Sequence, residues 1–459
     1  MKRIDIYIFA IVSFLLCGCI DIKLEDQFSD PDAISSTRTA RELLSSAYNS
    51  LPRWQMELSI LSDDFVPNTL AAKSSDMINL YKWQEKAIDD LSANVWNDYY
   101  MTVAIINALL PRLELIQAKD DEDALELARI ASEAKALKAM CYLDLLRLYA
   151  PAWGPETLES DAIILKDRLE LDFLPRSSLR ACAEEIESLI SDALSVDNED
   201  ASVFYFSTKA VQALKTEFLL WKGDWEGVVQ TGLPLLEGAE QNRNKSDYEN
   251  LWSGNASTER IFAPYIFDSF YTNLCYDKSQ GDYFLLNGDI RWDDTDVRKE
   301  WSEYQYDTSV GTARGLGKYN RMYYENISVR YINSLRYGGV CLDVAEALAH
   351  SGQLEQAKDL LNLFLTSYGA SPVQDGMNSD ELIDRILAEK QKEFVGEGVR
   401  LFDLKRLRKP ITRKTTLGTG VESVVKENDY RWLFPIPQSE YKYNDNVSQN
   451  PQWPYIKTE

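Results

Sequence analysis

His350 is the only histidine in the 459-residue chain, so a serine–histidine triad or a histidine-held zinc would have to be built on it. It sits in Glu346-Ala347-Leu348-Ala349-His350-Ser351-Gly352, which reads as the close of a helix, where a cation is mildly favoured by the aligned peptide dipoles. Cys141, Cys182, Cys275 and Cys341 are far apart and form no Cys-x-x-Cys pair, which argues against a zinc ribbon or a thioredoxin-like site. Cys141 and Cys341 fall in apolar helical runs and read as small core residues. With 73 acidic residues, some carboxylate pair always falls at a glycosidase-like separation. Pairs such as Asp63-Asp64 or Asp293-Asp294 are therefore uninformative. Asp293, Asp294 and Asp296 are spaced so that they could touch a calcium ion, yet the chain has no D-x-D-x-D-G loop. There is also no P-loop, no G-x-S-x-G elbow and no dinucleotide fingerprint. The expectation is a protein with no catalytic residues, no metal and no cofactor.

The aromatic residues carry a different chemistry. Sugar rings present flat C–H faces that pack on indole and phenol rings while their hydroxyls keep hydrogen bonds. From about Gln241 to Asn326 the chain is rich in aromatics, Gly, Asn, Asp and Ser, with no persistent period. Such a long irregular region reads as a packed functional loop. The stretch from Phe65 to Ser92 is similar. Trp96, Trp221 and Trp225 lie in helical patterns and read as core.

Net charge narrows the partners. At −24 the surface repels phosphate backbones and anionic headgroups, so nucleic-acid binding and polybasic membrane docking are disfavoured. At the amino terminus, Lys2 and Arg3 precede an apolar run from Ile6 to Leu16. That run is too short to span a bilayer, which takes ~20 residues, but it fits a signal-peptide core. Leu16-Cys17-Gly18-Cys19 resembles a bacterial lipobox. Cys19, preceded by Gly18, fits the acylated first mature residue. Several acyl chains there would anchor stably, each buried methylene contributing ~0.8 kcal/mol. The expected organisation is a signal peptide over 1–18, a lipid-anchored tether over 19–40 and a single helical domain over 41–459.

Helical patterns dominate what must position these groups. Ser132 to Tyr149 is apolar nearly all round, predicting a helix buried on most sides and stopped by Pro151. A helix over Ser207 to Lys222 ends at Gly223, and Asp224-Trp225 opens the next. Gly339 to Ser351 is apolar, Gly352 breaks it, and Leu354, Ala357, Leu361 and Phe364 recur at helical spacing. Both pairs resemble the helix–turn–helix unit of tetratricopeptide repeats, separated by long insertions. The run Asp120-Asp121-Glu122-Asp123 reads as a solvated helix start.

The carboxy-terminal third carries a specific resemblance. Glu389, Glu393, Glu397, Gly398, Arg400, Asp403, Leu404 and Arg406 match the SusD/RagB run E-R-x-x-E-[LF]-x-x-E-G-x-R-x-x-D-L-x-R, with Lys390 where arginine is commoner. Pro435-Ile436-Pro437-Gln438-Ser439-Glu440 and Gln449-Asn450-Pro451 resemble the family's ending, so the family motifs concentrate in 331–459. Upstream, Leu61-Ser62-Asp63-Asp64, Trp96 to Tyr100, Glu133 to Tyr142 and Asp289-Ile290-Arg291 are looser matches in the right order. Arg336 to Ala347 also matches, but Gly339 replaces an expected glutamate, which puts one local ion pair in doubt. Glu389, Glu393 and Glu397 fall on one helix face and repel unless partnered, and Arg400, Lys405 and Arg406 are the nearest partners in sequence. Such a network fixes geometry more than it adds stability.

The resemblance implies a mainly α-helical, SusD-like fold in which tetratricopeptide-repeat-like pairs scaffold irregular ligand-binding loops. It also implies a surface-exposed outer-membrane lipoprotein that captures an oligosaccharide and hands it to a SusC-like TonB-dependent transporter. A peptide-binding member of the family, a glycan-degrading lipoprotein and a ligand-free helical-repeat adaptor are the alternatives. The ligand-contacting regions that the resemblance implies hold Tyr81 and Trp83, then Tyr271, Tyr283, Trp292, Tyr304 and Tyr306.

Overall fold

Side chains that take up the first free amides set where the helices begin. The computed structural model describes residues 34–455, apart from 72–73, 170–171, 200, 239–243, 266–275, 278–280, 309–310 and 319–330. Cys19, Tyr271 and Cys275 lie outside the described residues. α1 (Thr37–Asn49) opens on a reciprocal cap between Ser36 and Thr39 and buries Ala40, Leu44, Ala47 and Tyr48. Helical order thus begins inside the stretch expected to be tether. α2 (Gln55–Leu61), β1 (Phe65–Pro67) and α3 (Ser75–Tyr81) follow. Next come two 29-residue helices that receive α1, α4 (Glu85–Leu113) and α5 (Asp121–Tyr149). The Asp120 carboxylate caps α5 by accepting from the Asp123 amide, so the acidic run is a helix start, and the helix ends at Tyr149 before Pro151.

α6 (Leu179–Leu194) packs on α5. α7 (Thr208–Lys222) turns through Gly223, at φ 70°, into α8 (Trp225–Leu236), which Asp224 caps. After α9 (Lys245–Ser253) comes the insertion, which is mostly short strands: β2 (Arg260–Phe262), β3 (Tyr276–Asp277), β4 (Gly281–Asp282) and β5 (Phe284–Leu286). α10 (Arg298–Ser302), β6 (Glu303–Thr308), β7 (Gly311–Leu316) and β8 (Leu335–Arg336) complete it. α11 (Tyr337–His350) and α12 (Leu354–Ser367) form the second pair, with Gly352 at φ 76° between them. The two pairs meet through α8 and α11. At Gly232 a Cβ would sit 2.6 Å from Val344 Cγ2, so the helices approach closer than any side chain there allows. His350 closes α11 as expected, stacked flat on Trp225 at 4.1 Å.

α13 (Ser379–Phe394), α14 (Val399–Arg406), β9 (Ile411–Lys414), β10 (Val421–Val425) and α15 (Gln438–Tyr441) finish the chain. The fold is mainly helical. Strands pair only in antiparallel twos among the described residues: β1–β5, β2–β8, β3–β4, β6–β7 and β9–β10. Cys141, Cys182 and Cys341 are fully buried, as the apolar runs implied for Cys141 and Cys341. Among the described residues no helix is long and apolar enough to cross a membrane.

Candidate functional site

The irregular stretches meet at one place. β1 and β5 pair with Val66 opposite Leu285. The ladder extends at both ends, where the Asn287 amide donates to the Asp64 carbonyl and the Asn68 amide to the Tyr283 carbonyl, each at 2.8 Å. In the β6–β7 hairpin Tyr304 lies opposite Gly315 and Tyr306 opposite Ala313. The two tyrosines share a face because side chains alternate along a strand. Their rings stack at 5.4 Å, 24° apart, and both are half-buried. Tyr306 packs with Leu417 against a small apolar cluster of Val66, Leu285 and Ala313, separate from the main core. Above this floor opens a cleft of about 260 Å³, rimmed by Asn68, Arg291, Arg314 and Lys414.

The other aromatics expected at a ligand sit elsewhere. Tyr81 and Trp83 are each only 1% exposed. The Tyr81 hydroxyl donates to the Lys414 carbonyl at 3.0 Å and accepts from the Lys414 amide at 2.9 Å, so it fastens the end of β9. The Trp83 indole N–H donates to the Leu61 carbonyl at 2.9 Å, and its ring meets Trp432 edge-on. Tyr81 thus supports the Lys414 side of the cleft, and Trp83 is a core residue. Trp292 is buried and Tyr283 half-buried against the main core. Trp96 and Trp221 are core as expected, and Trp225 is partly buried. Of the seven, the structure brings Tyr304 and Tyr306 together, and Tyr306 packs on Val66, Leu285 and Ala313, which line the cleft.

The acidic ladder holds the hairpin. Glu389, Glu393 and Glu397 are all buried, but α13 ends at Phe394, so Glu397 lies past the helix and not on the face expected to carry all three. Glu389 takes Lys392 and Arg385 from its own helix, at 2.7 and 2.9 Å, and the other partners come from the insertion and its far end. Arg298 reaches Glu389 at 2.8 Å and Glu393 at 3.3 Å, and Arg336 reaches Glu393 at 2.5 Å and Glu397 at 2.9 Å. Lys318 reaches Glu397 at 2.7 Å. The expected partners Arg400, Lys405 and Arg406 do other work. Arg400 pairs with Asp63, and Arg406 with Glu346 and Asp403. Lys405 caps α5 by donating to the Arg147 and Leu148 carbonyls. Burial pushes the Glu393 carboxyl up, but Arg336, Arg298 and Lys318 outweigh it and hold it below its usual value. With Gly339 in place of a glutamate, Arg336 takes its partners from this ladder.

Asp64, directly before β1, is fully buried and accepts from the Gly396 amide at 3.1 Å. Burial, reinforced by neighbouring Asp63, raises its pKa to about 7. The calcium candidates are all engaged: Asp293 accepts from the Ser371 amide, Asp294 pairs with Lys299 and Asp296 with Arg298. Among the described residues no group of three or more His, Cys, Asp or Glu gathers for a metal.

Sequence reasoning missed the rim. Arg291 was visible only as part of Asp289-Ile290-Arg291, and nothing marked Arg314 or Lys414.

A model of the SusD family matches residues 234–453, and one described as starch-binding associating with outer membrane matches residues 21–220. The chain belongs to the SusD/RagB family. A SusD-like protein of Formosa agariphila is 22% identical over 488 aligned positions, covering 89% of this chain and 92% of that protein. A solved SusD-superfamily structure from Bacteroides thetaiotaomicron superposes with a TM-score of 0.74 at 22% identity, over 91% of this chain and all of that one. A SusD-like carbohydrate binding protein from Bacteroides vulgatus gives 0.76 at 18% identity, over 90% of this chain and 97% of that one. At such identities the structural likeness speaks to the SusD fold.

Proposed function

We propose that this SusD/RagB-family chain is a non-catalytic outer-membrane lipoprotein, acylated at Cys19, that binds an oligosaccharide and passes it to a SusC-like TonB-dependent transporter. Residues 1–18 would be the leader, with one helical domain following a short tether. The observation that carries the reading is the stacked Tyr304–Tyr306 pair, of which Tyr306 packs on Val66, Leu285 and Ala313 from the lining of the cleft. A ring pair on a strand face offers a rigid platform for a pyranose, and the polar rim serves its hydroxyls. The family model described as starch-binding and the carbohydrate-binding relative support the ligand class. Of the residues expected at the ligand, Tyr304 and Tyr306 are retained as contacts. Tyr81, Trp83, Tyr283 and Trp292 become supports.

The test is calorimetric titration of the detergent-solubilised full chain with oligosaccharides. Tyr306→Ala is expected to weaken binding about tenfold, since a ring contact contributes roughly 1 kcal/mol and more with its buried area. Absence of binding by every oligosaccharide, or affinity unchanged by replacing both tyrosines, rejects the site.

A further inference from the structure

The charge of the cleft runs against that of the chain. The whole carries −24, yet Arg291, Arg314 and Lys414 line the cleft and, among the described residues, no Asp or Glu does. The three cations converge on the turn at residues 287–291. Arg314 Nη2 donates to the Ile290 carbonyl at 2.9 Å. Lys414 Nζ donates to Asn287 Oδ1 at 2.8 Å and pairs with Asp289 at 2.7 Å. Arg291 Nη2 lies 3.9 Å from where a Cβ on Gly288 would be.

Two carboxylates stand behind these cations. Glu303 takes Nε and Nη2 of Arg314, and Asp289, 76% exposed, takes Lys414. That leaves capacity unspent. Arg291 is exposed and has no ion pair among the described residues. Arg314 Nη1 is buried with no hydrogen-bond partner among the described residues. A buried guanidinium N–H left unpaired is costly, and a neutral sugar platform has no need of one. Arg314 has a structural duty in bracing the hairpin, but Arg291 makes no contact that the fold requires. Guanidinium groups match planar or tripodal oxyanions with paired N–H donors. In a strongly negative protein, one local positive site admits a short anionic ligand where the rest of the surface repels it.

We propose that the glycan held in this cleft is anionic, its carboxylate or sulfate groups seating on Arg291 and Arg314 while a sugar face rests on the Tyr304–Tyr306 pair. This rests on the cleft being the glycan site.

Full-length protein in detergent is titrated with three pools of matched length: neutral maltooligosaccharides, oligogalacturonates and sulfated carrageenan oligosaccharides. At least one anionic pool is expected to bind about tenfold or more tighter than the neutral one, with affinity falling as salt is added. Which pool it is separates carboxylate from sulfate. Arg291→Gln is expected to lose about tenfold for that pool with the melting temperature unchanged, and Arg291→Lys to recover part of it. Arg38→Gln, on α1, is the control and changes nothing. Neutral and anionic pools binding alike, with Arg291→Gln without effect, overturns the anionic assignment. If Tyr306→Ala still weakens binding in that case, the glycan site itself stands. If no pool binds at all, the proposed function falls with it.

Discussion

Asp64→Asn isolates one buried charge. Asp64 has no exposed surface, and its carboxyl is raised from 3.8 to about 7 by burial and by Asp63. The folded chain therefore holds a proton there that the unfolded chain releases at lower pH. Because the folded pKa is the higher one, this group's stability is intact below about pH 4. It declines as pH rises towards 7, at about 1.4 kcal/mol per pH unit, and is fully lost above. The difference of about 3 units amounts to about 4 kcal/mol at most. Asparagine keeps an oxygen for the Gly396 amide and has no charge to desolvate. Urea unfolding of both proteins from pH 4 to pH 8 measures the effect. The stability of wild type minus variant should fall steadily with pH up to about 7 and then level. A difference independent of pH would show that Asp64 is already ionised in the folded chain and refute the reasoning.

Lys318→Met should cost about 3–5 kcal/mol, because Lys318 is buried between the Glu393 carbonyl and the Glu397 carboxylate; hydrogen exchange in β6 and β7 should rise more than in α4 and α5. Gly232→Ala should cost about 1–3 kcal/mol by pushing a methyl into Val344, read as a lower urea midpoint at unchanged slope. Trp83→Ala should cost about 3–5 kcal/mol in unfolding yet leave glycan affinity at low temperature nearly unchanged, which separates a core residue from a contact.

The helical pairs were legible because Gly223 and Gly352 mark their turns and the apolar positions keep a helical period. The inward face shared by Glu389 and Glu393 was legible for the same reason, whereas Glu397 falls past the end of α13 at Phe394. Their long-range partners were not, although Arg385 and Lys392, one turn either side of Glu389, do pair with it. Val395 ends α13, and Gly396 and Gly398, at φ 76° and 82°, redirect the chain, so α14 carries Arg400, Lys405 and Arg406 away from the ladder. Arg298 and Lys318 reach it from far off in sequence, brought by the fold alone. Tyr81 and Trp83 looked like surface platforms because the sequence around them has no period. Its short elements, α3 and β1, are too brief to show one, and interior carbonyls satisfy the hydroxyl and the indole. The cations of the rim carried no local signal, since an arginine's free donors depend on neighbours that sequence does not reveal.

Arg298 and Lys318 bracket the β6–β7 hairpin, and both are fastened to a single helix. Whatever lies between these two rivets closes a short loop whose ends are fixed independently of its content. The tyrosines are thus carried on an interchangeable cartridge. A hairpin of another sequence spliced between Ser302 and Gly317 would arrive at the same berth, leaving the helical chassis to melt as before while the cargo it accepts changes.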